Sequence, residues 1–270
     1  MIGYLGPQGT FSQIAAEYYG TLCNELTYYY KTIPSVVNAL IDDKISSAVL
    51  PIENTTEGSV NATVDSLIYI DNIFIESYLI LPIHHNLLVK NNSLKIEKIY
   101  SHGQALAQCS KFLFKNYPNA ELIETTSTAE AARFISTSDA NIAAISPISS
   151  ASVYNLNILH KDIEDEKENL TNFVKISKKE KACTITTQTI CFTTKNKSGE
   201  LYRILDIFSL WDINMTRIFS RPKKGNIGEY VFYVDLEYSN KNDMESALKM
   251  VIRKTSFFKN IGRYDIRRYK

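Results

Sequence analysis

Apolar and polar positions along the 270-residue chain follow two rhythms, which alternate as far as about residue 175. Short runs rich in β-branched and aromatic residues predict strands at 2–5, 26–30, 47–52, 73–81, 86–90, 98–100, 121–124 and 142–145. Between them, apolar residues recurring every three or four positions predict helices over 11–19, 34–41, 60–69, 104–115 and 129–136. Such alternation predicts an α/β fold with mostly parallel strands. Residues 161–169 are charged and read as a loop. The stretch 178–186, lysine-rich and then polar, reads as a linker between domains.

Beyond the linker the pattern is compact. It predicts a strand at 188–194 and a helix at 200–212, with Leu201, Ile204, Leu205 and Phe208 on one face. Strands at 214–220 and 229–238 follow, then a helix at 243–254 and a strand at 257–264. The order βαββαβ is that of a ferredoxin-like unit.

Polar chemistry gathers where strands hand over to helices. At the first junction the chain reads Gly6-Pro7-Gln8-Gly9-Thr10-Phe11-Ser12, and Thr10 with Gln13 has capping-box spacing. Ser101 with Gln104 and Ser127 with Glu130 repeat that spacing. The free N–H groups of such a helix start attract anions, although the same residues also describe ordinary capped turns. In an α/β fold, junctions at the carboxyl ends of strands can face one crevice. A fourth junction, Pro51 to Ser59, offers Glu53, Asn54, Thr55 and Thr56. These residues suit proton donation and orientation, or equally a polar turn.

Composition narrows the classes. The apolar share of 44% and charged share of 22% are those of an ordinary globular chain, and a net charge of +1 argues against a nucleic-acid partner. No apolar run reaches the ~18 residues of a membrane span. The first residues lack the regions of a signal peptide, so a cytoplasmic protein without membrane association is expected. Cys23, Cys109, Cys183 and Cys191 form no CxxC pair and read as reduced thiols. His84, His85, His102 and His160 form no HExxH pattern, so no catalytic metal is expected.

Taken in order, the segments GPQGTFS (6–12), PIENTTEG (51–58), SHGQALAQC (101–109), TTSTAEAA (125–132) and NLTNF (169–173) resemble prephenate dehydratases. KSGELY (197–202), INMTRIFSRP (213–222) and TSFFKNIGRY (255–264) are similar to the regulatory ACT domain that follows the catalytic domain in that family. The resemblance implies a catalytic domain over 1–178, built as a two-lobed, type II periplasmic-binding-protein-like α/β fold. Its lobes would be about 1–77 with 155–178, and 78–154. A ferredoxin-like ACT domain would occupy 187–270. It implies loss of carbon dioxide and water from prephenate to give phenylpyruvate, without cofactor or metal, in a homodimer or homotetramer that responds to L-phenylalanine. Arogenate, the aminated substrate, is the alternative for the same chemistry. A catalytically weakened amino-acid-sensing protein is the alternative outside enzymes.

By resemblance Thr171 is the central catalytic residue, with Asn54, Thr55 and Glu53 beside it. Thr10, Ser12, Ser101, Gln104, Ser127, Thr128, Asn172 and Phe173 are the substrate-binding candidates. Gly199, Glu200, Leu201, Asn214, Phe219, Ser220, Arg221 and Pro222 are the effector-site candidates. Two departures stand out. Asn172 replaces the arginine of the family's Thr-Arg-Phe pattern, so the loss of a carboxylate partner is expected, with Lys31 or Arg133 as candidate substitutes. Phe219 replaces the acid of Glu-Ser-Arg-Pro, and Glu200 the alanine of Gly-Ala-Leu, so an altered effector response is expected.

Overall fold

A computed structural model describes residues 1–91, 95–138, 140–180, 186–225 and 228–269. Cys183 lies outside the described residues. The chain divides into two compact units. One comprises Met1–Thr63, Leu79–Val174 and Arg268–Lys270, and the other Val64–Tyr78 and Lys175–Arg267.

The first unit opens with β1 (Ile2–Leu5), α1 (Phe11–Cys23), β2 (Thr27–Tyr30), α2 (Ile33–Ile41), β3 (Ser47–Asn54) and the short β4 (Gly58–Ser59). Helix α3 (Asn61–Tyr69) and strand β5 (Phe74–Pro82) come next, and each is divided between the units. Strand β1 pairs in parallel with both β2 and β3, and β11 (Leu170–Ser177) stands between β3 and β5. The alternation of strand and helix dictates this: a helical crossover returns the chain to a parallel neighbour. Ile2, Tyr4, Val49, Leu79 and Phe173 meet Ala15, Ala16 and Tyr19 of α1 in a sealed core. Burial pushes the Tyr4 hydroxyl up to about 12.

A second lobe of the same unit holds β6 (Asn86–Val89), β7 (Lys98–Ser101), α4 (Gly103–Gln108), α5 (Ser110–Asn116), β8 (Glu121–Glu124), α6 (Thr128–Ser136), β9 (Ile142–Ser146), α7 (Ile148–Tyr154) and β10 (Asn157–His160). Its sheet runs β10-β6-β9-β7-β8, parallel at β7–β8 and β7–β9 and antiparallel at β6–β9 and β10–β6. The chain passes between the lobes twice, once between β5 and β6 and once between β10 and β11. The expected helix over 104–115 is broken at Cys109, which caps α4 and opens α5. Burial pushes the Cys109 thiol well above the usual range.

The second unit contains β12 (Thr187–Thr193), α8 (Glu200–Leu210), β13 (Asn214–Pro222), β14 (Tyr230–Glu237), α9 (Lys241–Lys254), β15 (Phe257–Arg263) and β16 (Asp265–Arg268), the last reaching into the first unit at its final residue. Its four-stranded sheet is antiparallel in the order β13-β14-β12-β15. Ile204, Ile207 and Phe208 of α8 and Met244, Ala247 and Val251 of α9 cover one face of it. The residues 64–78 of this unit are tied to β13 and β15. Arg221 holds Asp65 with both arms of its fork, at 2.9 to 3.1 Å, and Lys259 caps the end of α3 through the carbonyls of Leu67 and Ile70.

Candidate active site

Between the lobes of the first unit lies a cavity of about 310 Å³. The start of α1 forms one wall. Thr10 is its N-cap, with its hydroxyl accepting from Gln13 N at 3.3 Å and donating to Pro7 O at 3.0 Å. The Thr10 proton is therefore committed, and Ser12 carries the available one: its side chain has no hydrogen bond among the described residues and lines the cavity. Gln13 reaches back to Gly9 N rather than to the cap residue's own N–H, at 2.5 Å. The turn is locked to the other lobe, because Ser149 and Ser150 donate to Gly9 O and Tyr154 donates to Gln8 O. Gly9 is needed there. Its φ is +85°, and a Cβ would lie 2.7 Å from Ser150 Oγ.

The start of α6 forms the opposite wall, with Ser127 as N-cap to Glu130 N and with Thr128 beside it. Val60, just ahead of α3, and Gln104 of α4 also line the cavity. The N-cap of α4 is His102, not Ser101. Ser101 is fully buried and donates instead to Ile145 O at 2.7 Å, fastening β7 to β9. The expected second capping box is not formed; His102 Nδ1 accepts from Gln104 N at 3.4 Å instead.

A chain of side-chain hydrogen bonds crosses the cavity with its polarity fixed from one end. The backbone N–H groups of Thr56 and Glu57 both donate to Asn54 Oδ1, which makes that atom an acceptor. Asn54 Nδ2 is then the donor, to Thr171 Oγ1 at 2.8 Å and to Asn169 Oδ1 at 3.1 Å. Asn169 Nδ2 in turn donates to Gln108 Oε1 at 3.0 Å. Gln108 Nε2 donates to Thr56 Oγ1, whose proton goes to Asn54 Oδ1. His85 Nε2 faces Gln108 Oε1 at 2.9 Å and must be the protonated ring nitrogen. Its Nδ1 is buried without a partner among the described residues, and burial holds the His85 pKa below the usual imidazole range. At the other end Thr171 Oγ1 accepts from Asn54 and donates to no described residue, so its own proton is available. A hydroxyl that accepts such a bond is polarised into a better donor.

Thr171 and Phe173 both line the cavity, whereas Asn172 does not. Successive residues of a strand face opposite ways, and Asn172 Nδ2 donates to Glu53 Oε2 at 3.3 Å on the other side of β11. Glu53 and Thr55 are also outside the lining. Thr55 Oγ1 instead accepts from Leu170 N at 3.1 Å. An arginine at 172 would therefore meet Glu53 before it met a ligand in the cavity. No lysine or arginine is among the described lining residues. Lys31 and Arg133 are both elsewhere, Arg133 lying 3.6 Å from Glu130. Anion-binding capacity resides in the starts of α1, α3 and α6, each worth typically 0.3–1 kcal/mol toward a carboxylate at an exposed helix end.

In the second unit Gly199, Glu200 and Leu201 line a cavity of about 300 Å³ at the start of α8. Asn214, Phe219, Ser220, Arg221 and Pro222 lie along β13 and do not contribute to it. Glu200 pairs with Arg203 at 2.9 Å. The Phe219 ring stacks on Tyr233, 4.9 Å between centroids, with the Arg217 guanidinium 4.8 Å from its centre.

Residues 2–181 match the prephenate dehydratase family. A prephenate dehydratase of Methanocaldococcus jannaschii is 38% identical, with 97% of each chain covered. That of Bacillus subtilis is 36% identical over 87% of this chain and 88% of its own. The chain belongs to the prephenate dehydratase family. Its reaction is the decarboxylation and dehydration of prephenate to phenylpyruvate, in L-phenylalanine biosynthesis. The fold agrees: a prephenate dehydratase from Arthrobacter aurescens, solved in complex with L-phenylalanine, superposes with a TM-score of 0.89 at 27% identity, covering 98% of this chain and 89% of that one.

The quoted motifs fall in segments that line the cavity, but they did not single out every lining residue. Gln108 and Asn169 lie inside the quoted motifs, yet only the fold shows them bridging the lobes. His85 carried no signal beyond its apolar neighbours.

Proposed function

We propose that the 310 Å³ cavity holds prephenate and that Thr171 donates to its departing hydroxyl oxygen. The observation that carries this reading is the fixed polarity of Asn54, which leaves the Thr171 proton free. The substrate carries two carboxylates, a ketone and one ring hydroxyl. The side-chain carboxylate suits the start of α1 with Ser12, or that of α6 with Thr128. The ring carboxylate suits the apolar part of the lining, Leu5, Val60, Ile83 and Phe173, where weak solvation favours its release as carbon dioxide. As the C–CO₂ bond breaks, its electron pair moves through the ring and expels hydroxide. The Thr171 O–H bond stabilises charge on that oxygen, which leaves as water after taking a proton from solvent. Aromatisation drives the step.

The second unit is read as an ACT regulatory domain of a homodimer or homotetramer, with L-phenylalanine as effector. Its βαββαβ order and the L-phenylalanine complex of the Arthrobacter relative support this. Strands β13 and β15 are the sheet edges, the usual place for such domains to pair. Purified chain is expected to convert prephenate to phenylpyruvate faster than it converts arogenate to phenylalanine. Turnover of prephenate no faster than the acid-catalysed background would overturn the reading.

A further inference from the structure

The two crossings between the lobes run through residues 82–85 and 161–169, and three ligand-type side chains meet there. His84 Nδ1 lies 2.8 Å from Glu164 Oε1 and 3.9 Å from Asp162 Oδ1. The three donor atoms fall within 4.8 Å of one another. We propose that His84, Asp162 and Glu164 bind a divalent transition ion of the zinc class. The inference does not depend on the dehydratase mechanism.

The donor set favours this. One neutral imidazole and two carboxylates carry the charge that a dication balances, and the nitrogen ligand selects zinc-like ions over magnesium or calcium. Three protein ligands with an open fourth position form a familiar zinc arrangement. Donors 2.0–2.1 Å from a tetrahedral ion stand about 3.3 Å apart. The Nδ1–Oε1 pair would therefore open by about 0.5 Å, the Nδ1–Oδ1 pair close by about 0.6 Å and the two carboxylate oxygens, no more than 4.8 Å apart, close by at most about 1.5 Å. His84 and Asp162 have half or more of their side-chain surface exposed and can make those shifts, while Glu164 is buried.

Supporting contacts are in place. The other oxygen of Glu164 accepts from His85 N at 2.8 Å, and Asp162 N donates to Asn86 Oδ1 at 3.4 Å. Such outer contacts orient ligands. His84 is the sole partner of the Asp162 carboxylate among the described residues. An entry path exists, because His84 and Asp162 line a cavity of about 880 Å³. His85, the next residue, lines the smaller cavity with Thr171. Lys161 also lines the larger cavity but makes no ion pair with these carboxylates. An ion held here would tie the outgoing crossing to the returning one.

The test uses the full, untagged chain, freed of metal with a chelator. It is titrated with Zn²⁺ by calorimetry and with Co²⁺ by visible absorption. One ion per chain is expected, with the visible bands of four-coordinate Co²⁺ and a rise in melting temperature on adding Zn²⁺ but not Mg²⁺. Asp162→Asn and His84→Ala should each weaken Zn²⁺ binding by at least ~10-fold. Asparagine tolerates the left-handed backbone at 162, where φ is 51°, so that variant keeps its fold and decides the matter if His84→Ala does not. Absence of stoichiometric binding would overturn the proposal. So would binding unchanged by Asp162→Asn, which would place the ion on other groups such as exposed Cys23.

Discussion

Asn54 accepts through one side-chain atom and donates through the other, and two backbone N–H groups decide which is which. The consequence reaches Thr171 on one side and His85 on the other. His85 also gives the molecule a pH dependence. Burial lowers its pKa in the folded state, so below the unfolded value of about 6.5 the unfolded chain binds a proton that the folded chain refuses. Its contribution to stability is thus intact above pH ~6.5 and declines as pH falls from there toward the lowered folded value. Denaturant titrations between pH 5 and 8 should show this decline, and His85→Gln, which keeps a donor for Gln108, should flatten it. An equal slope in both proteins would remove His85 as its source.

Elements show why sequence reading succeeds in some places and misses in others. Strand 121–124 and the helix ends near Ile41 and Ser136 were legible because period, cap and turn signals agree there. Helix α7 was missed because Pro147, Ser149 and Ser150 dilute its apolar period. Strand β11 was missed because charged neighbours mask its alternation, and that alternation decides that Asn172 faces Glu53. The turn before α1 was legible as a helix start capped by Thr10. Its anchoring to α7 was not, since it depends on Ser149, Ser150 and Tyr154, about 140 residues away. Gly9→Ala tests that anchoring: a strained backbone and the approach to Ser150 should cost on the order of 1–3 kcal/mol in unfolding free energy. A variant as stable as the parent would show that the turn yields freely.

At the scale of the whole molecule, the proposed catalytic cavity belongs to the first unit and the proposed regulation to the second. Glu200 is held by Arg203, and Phe219 stacks on Tyr233 with the Arg217 guanidinium against both rings. Both positions are therefore engaged within the chain. Titrating L-phenylalanine against turnover should give weak, shallow inhibition. Cooperative inhibition at micromolar effector would show that the site tolerates both residues. In the proposed mechanism the Thr171 hydroxyl proton serves the departing oxygen. That role is tested most directly by steady-state kinetics on prephenate with Thr171→Val and Thr171→Ser. Valine is expected to lower kcat by at least ~100-fold with little change in KM, while serine, which keeps the hydroxyl, should stay within about tenfold of the parent. A valine variant with parental kcat would contradict it.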